Sequence, residues 1–228
     1  MKTHPPVDFN QLADSYDKRN LRMQAFQQAL HLCLRGIFMT RPAQARVLCV
    51  GAGTGQELLF LANHFPDWQF CLVEPAEAML AICRAKADAA GISERCEFFT
   101  GYLDELPASR PFDVATSILV SQFITDESER VDFFREIAGR LTPEGVLVSA
   151  DLSADMNSTS FQELFPAWAT LQEMPAEKSE MLQQQWSRML AIVPPQEVAA
   201  IIAKGGFTPP VIFYQALFVH AWLARRAT

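Results

Sequence analysis

Apolar positions along this chain fall into two alternating patterns. Leu21, Met23, Phe26, Leu30, Leu34 and Phe38 recur at helical spacing, which predicts an amphipathic helix over about 20–39, broken by Arg41-Pro42. Val47-Leu48-Cys49-Val50 then reads as a short, fully apolar strand stopped by glycines. Glu57 to His64 reads as a helix ended by Pro66-Asp67, and Gln69-Phe70-Cys71-Leu72-Val73 as a second strand. Pro75 and Gly91 bracket a helix through Met79, Ile82 and Ala85. Cys96 to Thr100 and Asp113 to Leu119 are the third and fourth strands. Asp126 with Glu129 has the form of a capping box opening a helix that buries Val131, Phe134, Ile137 and Leu141. Thr142-Pro143-Glu144-Gly145 turns the chain into a fifth strand, Val146 to Ala150.

Buried strands without polar alternation, separated by helices, predict a parallel sheet covered on both faces. Right-handed crossovers make it doubly wound. After Pro209-Pro210 the pattern changes: Val211-Ile212-Phe213-Tyr214 and Leu217 to Leu223 leave almost no room for a helix, so they must pair antiparallel. The expected fold class is α/β: a doubly wound, mostly parallel seven-stranded sheet with an antiparallel C-terminal strand and a helical cap. A single domain over 1–228 is expected, with a helical cover over 1–42 and a helical insertion over 153–193.

Composition narrows the class. Half of the 228 residues are apolar, enough for a substantial core, and no run approaches the roughly 18 apolar residues a membrane span needs. The net charge of −7 argues against a nucleic-acid-wrapping surface, although residues 1–46 carry +4 against −11 for the remainder. Cys33, Cys49, Cys71, Cys83 and Cys96 are odd in number and form no C-x-x-C pair, so reduced thiols in a cytoplasmic protein are expected. The first residues, including His4, lack the apolar core of a signal peptide. The four histidines are scattered without ligand spacing, and no metal is expected.

Candidate chemistry concentrates after the first strand, in Gly51-Ala52-Gly53-Thr54-Gly55. Glycines let the backbone turn tightly and approach a ligand, and the following helix offers free N–H groups. A dinucleotide fingerprint would place its third glycine at position 56, which is Gln56, so the loop is a poor pyrophosphate cradle. Glu74, ending the second strand, can accept hydrogen bonds from both hydroxyls of a ribose.

On these residues the chain resembles the class I S-adenosylmethionine-dependent methyltransferases, over 46–152 and extending to the C-terminal hairpin. The resemblance implies a Rossmann-like domain, with S-adenosylmethionine as cofactor held by Gly51, Ala52, Gly53, Thr54, Gly55, Glu74, Pro75, Met79, Gly101, Tyr102, Leu103 and Leu119. It implies further that Tyr16, in Ala13-Asp14-Ser15-Tyr16-Asp17, closes over the methionine end and that Arg22 neutralises the cofactor carboxylate. Two positions depart from the family: Cys49 and Tyr102 stand where acids are frequent. Ser117-Ile118-Leu119-Val120 lacks the Asn/Asp-Pro-Pro-aromatic tetrad of nucleobase amino-methyltransferases, which argues against exocyclic amines of nucleic acid, and the apolar, acidic, cap-bearing chain favours a small-molecule acceptor.

Doubly wound sheets bind ligands at the carboxyl ends of their strands. Gln122 and Phe123 after strand four and Asp151 at the end of strand five are therefore substrate candidates; Asp151 could be a base or a metal ligand, but a carboxylate without a second nearby in sequence is more often a helix cap. In the insertion, Trp168 and Arg188 are further candidates, its aromatics and methionines forming either a lid over the mouth or ordinary core. Leu119-Val120-Ser121-Gln122-Phe123 and Phe213-Tyr214-Gln215-Ala216-Leu217-Phe218 also resemble the carboxy-S-adenosylmethionine synthases, a family tied to tRNA modification. In that chemistry Arg188 would anchor a second carboxylate. A nicotinamide-dependent oxidoreductase and a non-catalytic cofactor-binding module complete the alternatives; a homodimer is left open.

Overall fold

The computed structural model describes residues 7–175 and 178–228; His4 and the first six residues lie outside them. Seven strands form one sheet in the order β3-β2-β1-β4-β5-β7-β6, with β1 at Arg46–Val50, β2 at Gln69–Glu74, β3 at Cys96–Thr100, β4 at Phe112–Ile118, β5 at Leu141–Leu152, β6 at Val211–Ala216 and β7 at Val219–Arg225. Strands β1 to β5 are parallel, and β7 runs antiparallel between β5 and β6. The order reverses at β1, with β2 on one side and β4 on the other, so the crevice of a doubly wound sheet opens there.

The sheet divides the core in two. Helices α2 (Gln24–Phe38), α3 (Gln56–His64) and α4 (Glu77–Ala89) bury Leu34, Phe38, Leu58, Leu61, Leu80 and Cys83 against Val47, Cys49, Leu72 and Val148. On the opposite face, α5 (Glu127–Arg140) and α8 (Pro195–Lys204) bury Phe134, Ile137, Val198 and Ile202 against Leu48, Ala115, Leu147 and Trp222. Each such side chain contributes about 1.5–3 kcal/mol of burial, and its partners alternate between faces because successive strand residues do.

Two local features differ from expectation, in the N-terminal cover and in the fifth strand. The N-terminal cover is two helices: α1 (Phe9–Asn20) and α2 are separated by a 3-10 turn over Leu21–Met23. The fifth strand pairs from Leu141 opposite Phe112, then shifts register so that Val146 meets Val114, making 142–145 an excursion from the strand rather than a turn before it. As expected, Asp126 caps α5, accepting from the Glu129 N–H at 2.9 Å. The insertion supplies α6 (Thr159–Leu171) and α7 (Ser179–Met189), whose Phe161, Phe165, Trp168 and Trp186 close on Phe218 as a separate aromatic core. Among the described residues, no helix is long and apolar enough to cross a membrane.

Candidate functional site

The turn from β1 into α3 is shaped by close packing. Gly51 has φ +72, and a Cβ there would overlap Val120; Gly55 has φ +82, and a Cβ there would overlap Cys83. The left-handed region is costly for side-chain-bearing residues, so these positions need glycine twice over. The Gly51 and Ala52 N–H groups both donate to the Val73 carbonyl, at 2.8 and 3.1 Å, pinning the turn to β2.

Glu74 closes the floor. Its Oε2 accepts from the Gly53 N–H at 2.9 Å and its Oε1 from the Ala76 N–H at 3.0 Å. Each oxygen keeps a further lone pair. Burial pushes the Glu74 carboxyl above its ordinary value, opposed by the bonds from Ala76 and Gly53. A Cβ added at Gly53 would meet nothing within 4 Å among the described residues beyond its chain neighbours.

Over this floor opens a cleft of about 480 Å³. Of the residues named from the sequence, Tyr16, Gly51, Gly53, Glu74, Pro75, Met79, Gly101, Tyr102, Leu103, Leu119 and Phe123 line it. Helix α1 forms its roof: Phe9 and Tyr16, two helical turns apart, share one face, and the Phe9 ring meets Phe123 edge-on at 5.3 Å. Asp17 ties that helix down, accepting from Thr54 Oγ1 at 2.6 Å and from Lys86 Nζ at 2.5 Å, which lowers its carboxyl despite partial burial. The Tyr16 hydroxyl is pushed up by burial.

Other named residues are placed elsewhere. Ala52, Thr54 and Gly55 shape the turn without lining the cleft. Arg22 faces away, donating to the Gln172 carbonyl at 2.8 Å and pairing with Glu173 at 2.6 Å. Asp151 is neither a cap at a helix of its own nor open to substrate: it is fully buried in β5. It accepts from Ser121 Oγ at 2.7 Å, from the Gln122 N–H at 2.9 Å and from Arg130 at 3.4 Å. Gln122 is buried too, its Oε1 accepting from the Leu152 N–H. Trp168 belongs to the aromatic core under α6 and α7, and Arg188 is exposed on α7. The described residues of 153–193 contribute none of the lining, so the insertion stands beside the cleft rather than over it.

Residues missed in the sequence are Phe9, Val50, Val73, Ile118, Val120 and Ile124, together with Glu129, Asp132, Phe133 and Glu136 of α5. Only Phe9 left a signal, its spacing of seven from Tyr16. Beside Cys49 an acid comes from α3: Glu57 Oε1 lies 3.9 Å from Cys49 Sγ, and desolvation raises its pKa to about 7. No group of three or more His, Cys, Asp or Glu among the described residues is placed to hold a metal.

The cleft fits a nucleoside with an apolar-flanked tail: a paired-oxygen acceptor on the floor, open space over Gly53, and Met79, Leu119 and Tyr16 around it. Comparison with known proteins bears on the family. Residues 47–145 match the family model described as a methyltransferase domain. The chain is 27% identical over 175 residues to a malonyl-[acyl-carrier protein] O-methyltransferase of Bacillus cytotoxicus, an alignment covering 76% of this chain and 56% of that protein. It is 27% identical over 135 residues to a carboxy-S-adenosyl-L-methionine synthase of Campylobacter jejuni, covering 59% and 56%. It thus spans little more than half the length of these curated relatives. The crystal structure of a putative O-methyltransferase from Nostoc punctiforme shares the fold, with a TM-score of 0.73 at 15% identity over 98% of this chain and 62% of that one. Sheet order, glycine turn, strand-end acid and family match coincide on one segment: residues 47–145, which match the methyltransferase-domain model and carry the glycine turn and Glu74.

Proposed function

We propose that this chain transfers the methyl group of S-adenosylmethionine to a small-molecule acceptor bound in the cleft. The observation that carries the reading is Glu74, whose two oxygens are fixed by the Gly53 and Ala76 N–H groups at the floor of a 480 Å³ cleft. When bound, the cofactor supplies an activated methyl group, so the protein's task is alignment and exclusion of water. Glu74 would hold the ribose hydroxyls, and Gly51 and Gly53 admit the nucleoside close to the backbone. Phe9 and Tyr16 roof the site, while Leu119, Phe123 and Ile124 present an apolar wall for the acceptor. The O-methyltransferase relatives favour oxygen as the nucleophile.

A carboxy-S-adenosylmethionine synthase chemistry has the Campylobacter relative in its favour. Its anchor for a second carboxylate, Arg188, is exposed outside the cleft lining, so methyl transfer is the better-supported reading. Calorimetric titration with S-adenosylmethionine and S-adenosylhomocysteine, followed by turnover against a metabolite panel, tests it. Micromolar binding with methylated product is expected; NAD binding in their place would sink it.

A further inference from the structure

The loop 119–124 leaving β4 forms the acceptor wall and is held against its own preference. Leu119 has φ +59, a left-handed conformation that costs a residue with a side chain about 1–2 kcal/mol. Its N–H donates to the Ala150 carbonyl at 2.6 Å. Behind the wall, fully buried Arg130 reaches three ways from α5. Its Nε donates to Ser121 Oγ at 3.0 Å, its Nη2 faces Asp151 at 3.4 Å, and its Nη1 donates to the Ala191 carbonyl at 2.9 Å. The Ala191 N–H returns to the Gln122 carbonyl at 2.7 Å. Ala191 lies at the end of the insertion, whose base is closed where Ser153 Oγ and the Ala154 N–H both donate to the Val193 carbonyl.

Two facts need a common reason. A buried ion pair is commonly no more stable than an apolar pair of similar size, so stability alone is a weak reason to keep one. And the described residues of the insertion line no part of the cleft beside which it stands. We infer that Arg130 is a positioning residue that joins the insertion to the acceptor wall, so that segment 153–193 sets which acceptor fits by holding Leu119 and Phe123 rather than by covering the mouth. This rests on the methyl-transfer reading of the cleft.

The guanidinium suits the task because its rigid fork serves the loop, the end of β5 and the insertion at once, which a lysine ammonium on a flexible stem does not. Ala191 spends both its N–H and its carbonyl on this joint, and Trp186, five residues earlier, packs among Phe161, Phe165, Trp168 and Phe218. A shift of that aromatic core is therefore passed to the Gln122 carbonyl and on to Phe123. Glu74 makes no hydrogen bond to this network, so the nucleoside end stays independent.

The test uses the full chain, wild type against Arg130→Lys, Trp186→Leu and the double variant. Amide hydrogen exchange is measured without ligand, and affinity for S-adenosylhomocysteine by calorimetry. Arg130→Lys keeps a charge opposite Asp151 but loses the fork, so exchange in 119–124 should quicken about tenfold, the worth of a buried hydrogen bond, with exchange in 50–56 and affinity unchanged. Trp186→Leu should quicken the same loop in wild type and add little in the Arg130→Lys background. Equal acceleration by Trp186→Leu in both backgrounds, a loop unchanged by Arg130→Lys, or affinity falling in step with exchange would each overturn the joint. If Arg130→Lys does not fold, Ser121→Ala, which leaves the ion pair in place, must quicken the loop or the inference fails. Failure of the wild type itself to bind S-adenosylhomocysteine would instead remove the acceptor-wall assignment, with the ligand-free exchange still reporting on the joint.

Discussion

Glu74 and Gly51 carry the sharpest expectations at the scale of single residues. Replacing Glu74 by Ala removes two charge-assisted acceptors, each worth about 1.5–3 kcal/mol. Affinity for S-adenosylhomocysteine should fall at least tenfold by calorimetry, and the loosened glycine turn should add to the loss. Because burial raises its carboxyl, binding that needs the ionised form should weaken on acidification starting above the ordinary carboxylate range, and Glu74→Gln should abolish that dependence. Gly51→Ala places a methyl group into Val120 in a left-handed backbone, so both stability and binding should drop. The opposite sign is expected in the sheet. Ser149 Oγ and Ser117 Oγ are buried without a hydrogen-bond partner in the structure, side by side on β5 and β4. Ser149→Ala relieves an unmet hydroxyl and should be neutral or stabilising by about 1 kcal/mol in urea unfolding.

At the scale of elements, α1 is the roof and Asp17 its fastening. Losing the carboxylate frees the helix from both the glycine turn, through Thr54, and α4, through Lys86. Asp17→Ala should therefore speed proteolysis within Phe9–Asn20 and weaken nucleoside binding severalfold while the rest of the fold stays intact. Asp126→Ala acts on a different element: it removes the N-cap of α5 and should lower the midpoint of urea unfolding. Elements were largely legible in the chain because burial pattern is local. The strands match the apolar runs, and Pro and Gly mark the ends of α3 and α4. The break between α1 and α2 left no comparable sign, since the 3-10 turn over Leu21–Met23 carries apolar residues that continue the same helical periodicity.

Across the whole molecule, buried titratable groups tie stability to pH. His31 of α2 stacks on Phe60 of α3 at 4.8 Å, and burial lowers its pKa to about 4. The unfolded chain then binds the extra proton between about pH 6.5 and 4, so stability falls as pH drops through that window and rises as pH increases. Against a His31→Phe variant, wild type should lose roughly 3 kcal/mol between those limits, read from urea unfolding at each pH. The glycine turn and its strand-end acid could be read from the chain alone because both lie within one β-α-β stretch, where short-range spacing dictates geometry. The same stretch indicated the cofactor class. What surrounds them could not be read so. Asp151 as a buried partner of Arg130, Arg22 turned to Glu173, Phe133 lining the cleft and Trp168 hidden in a separate core all depend on residues far apart in sequence. Whether a polar side chain meets ligand, solvent or another side chain is decided by which elements the sheet brings together, and a linear pattern encodes the face a residue occupies but not the neighbour that face will meet.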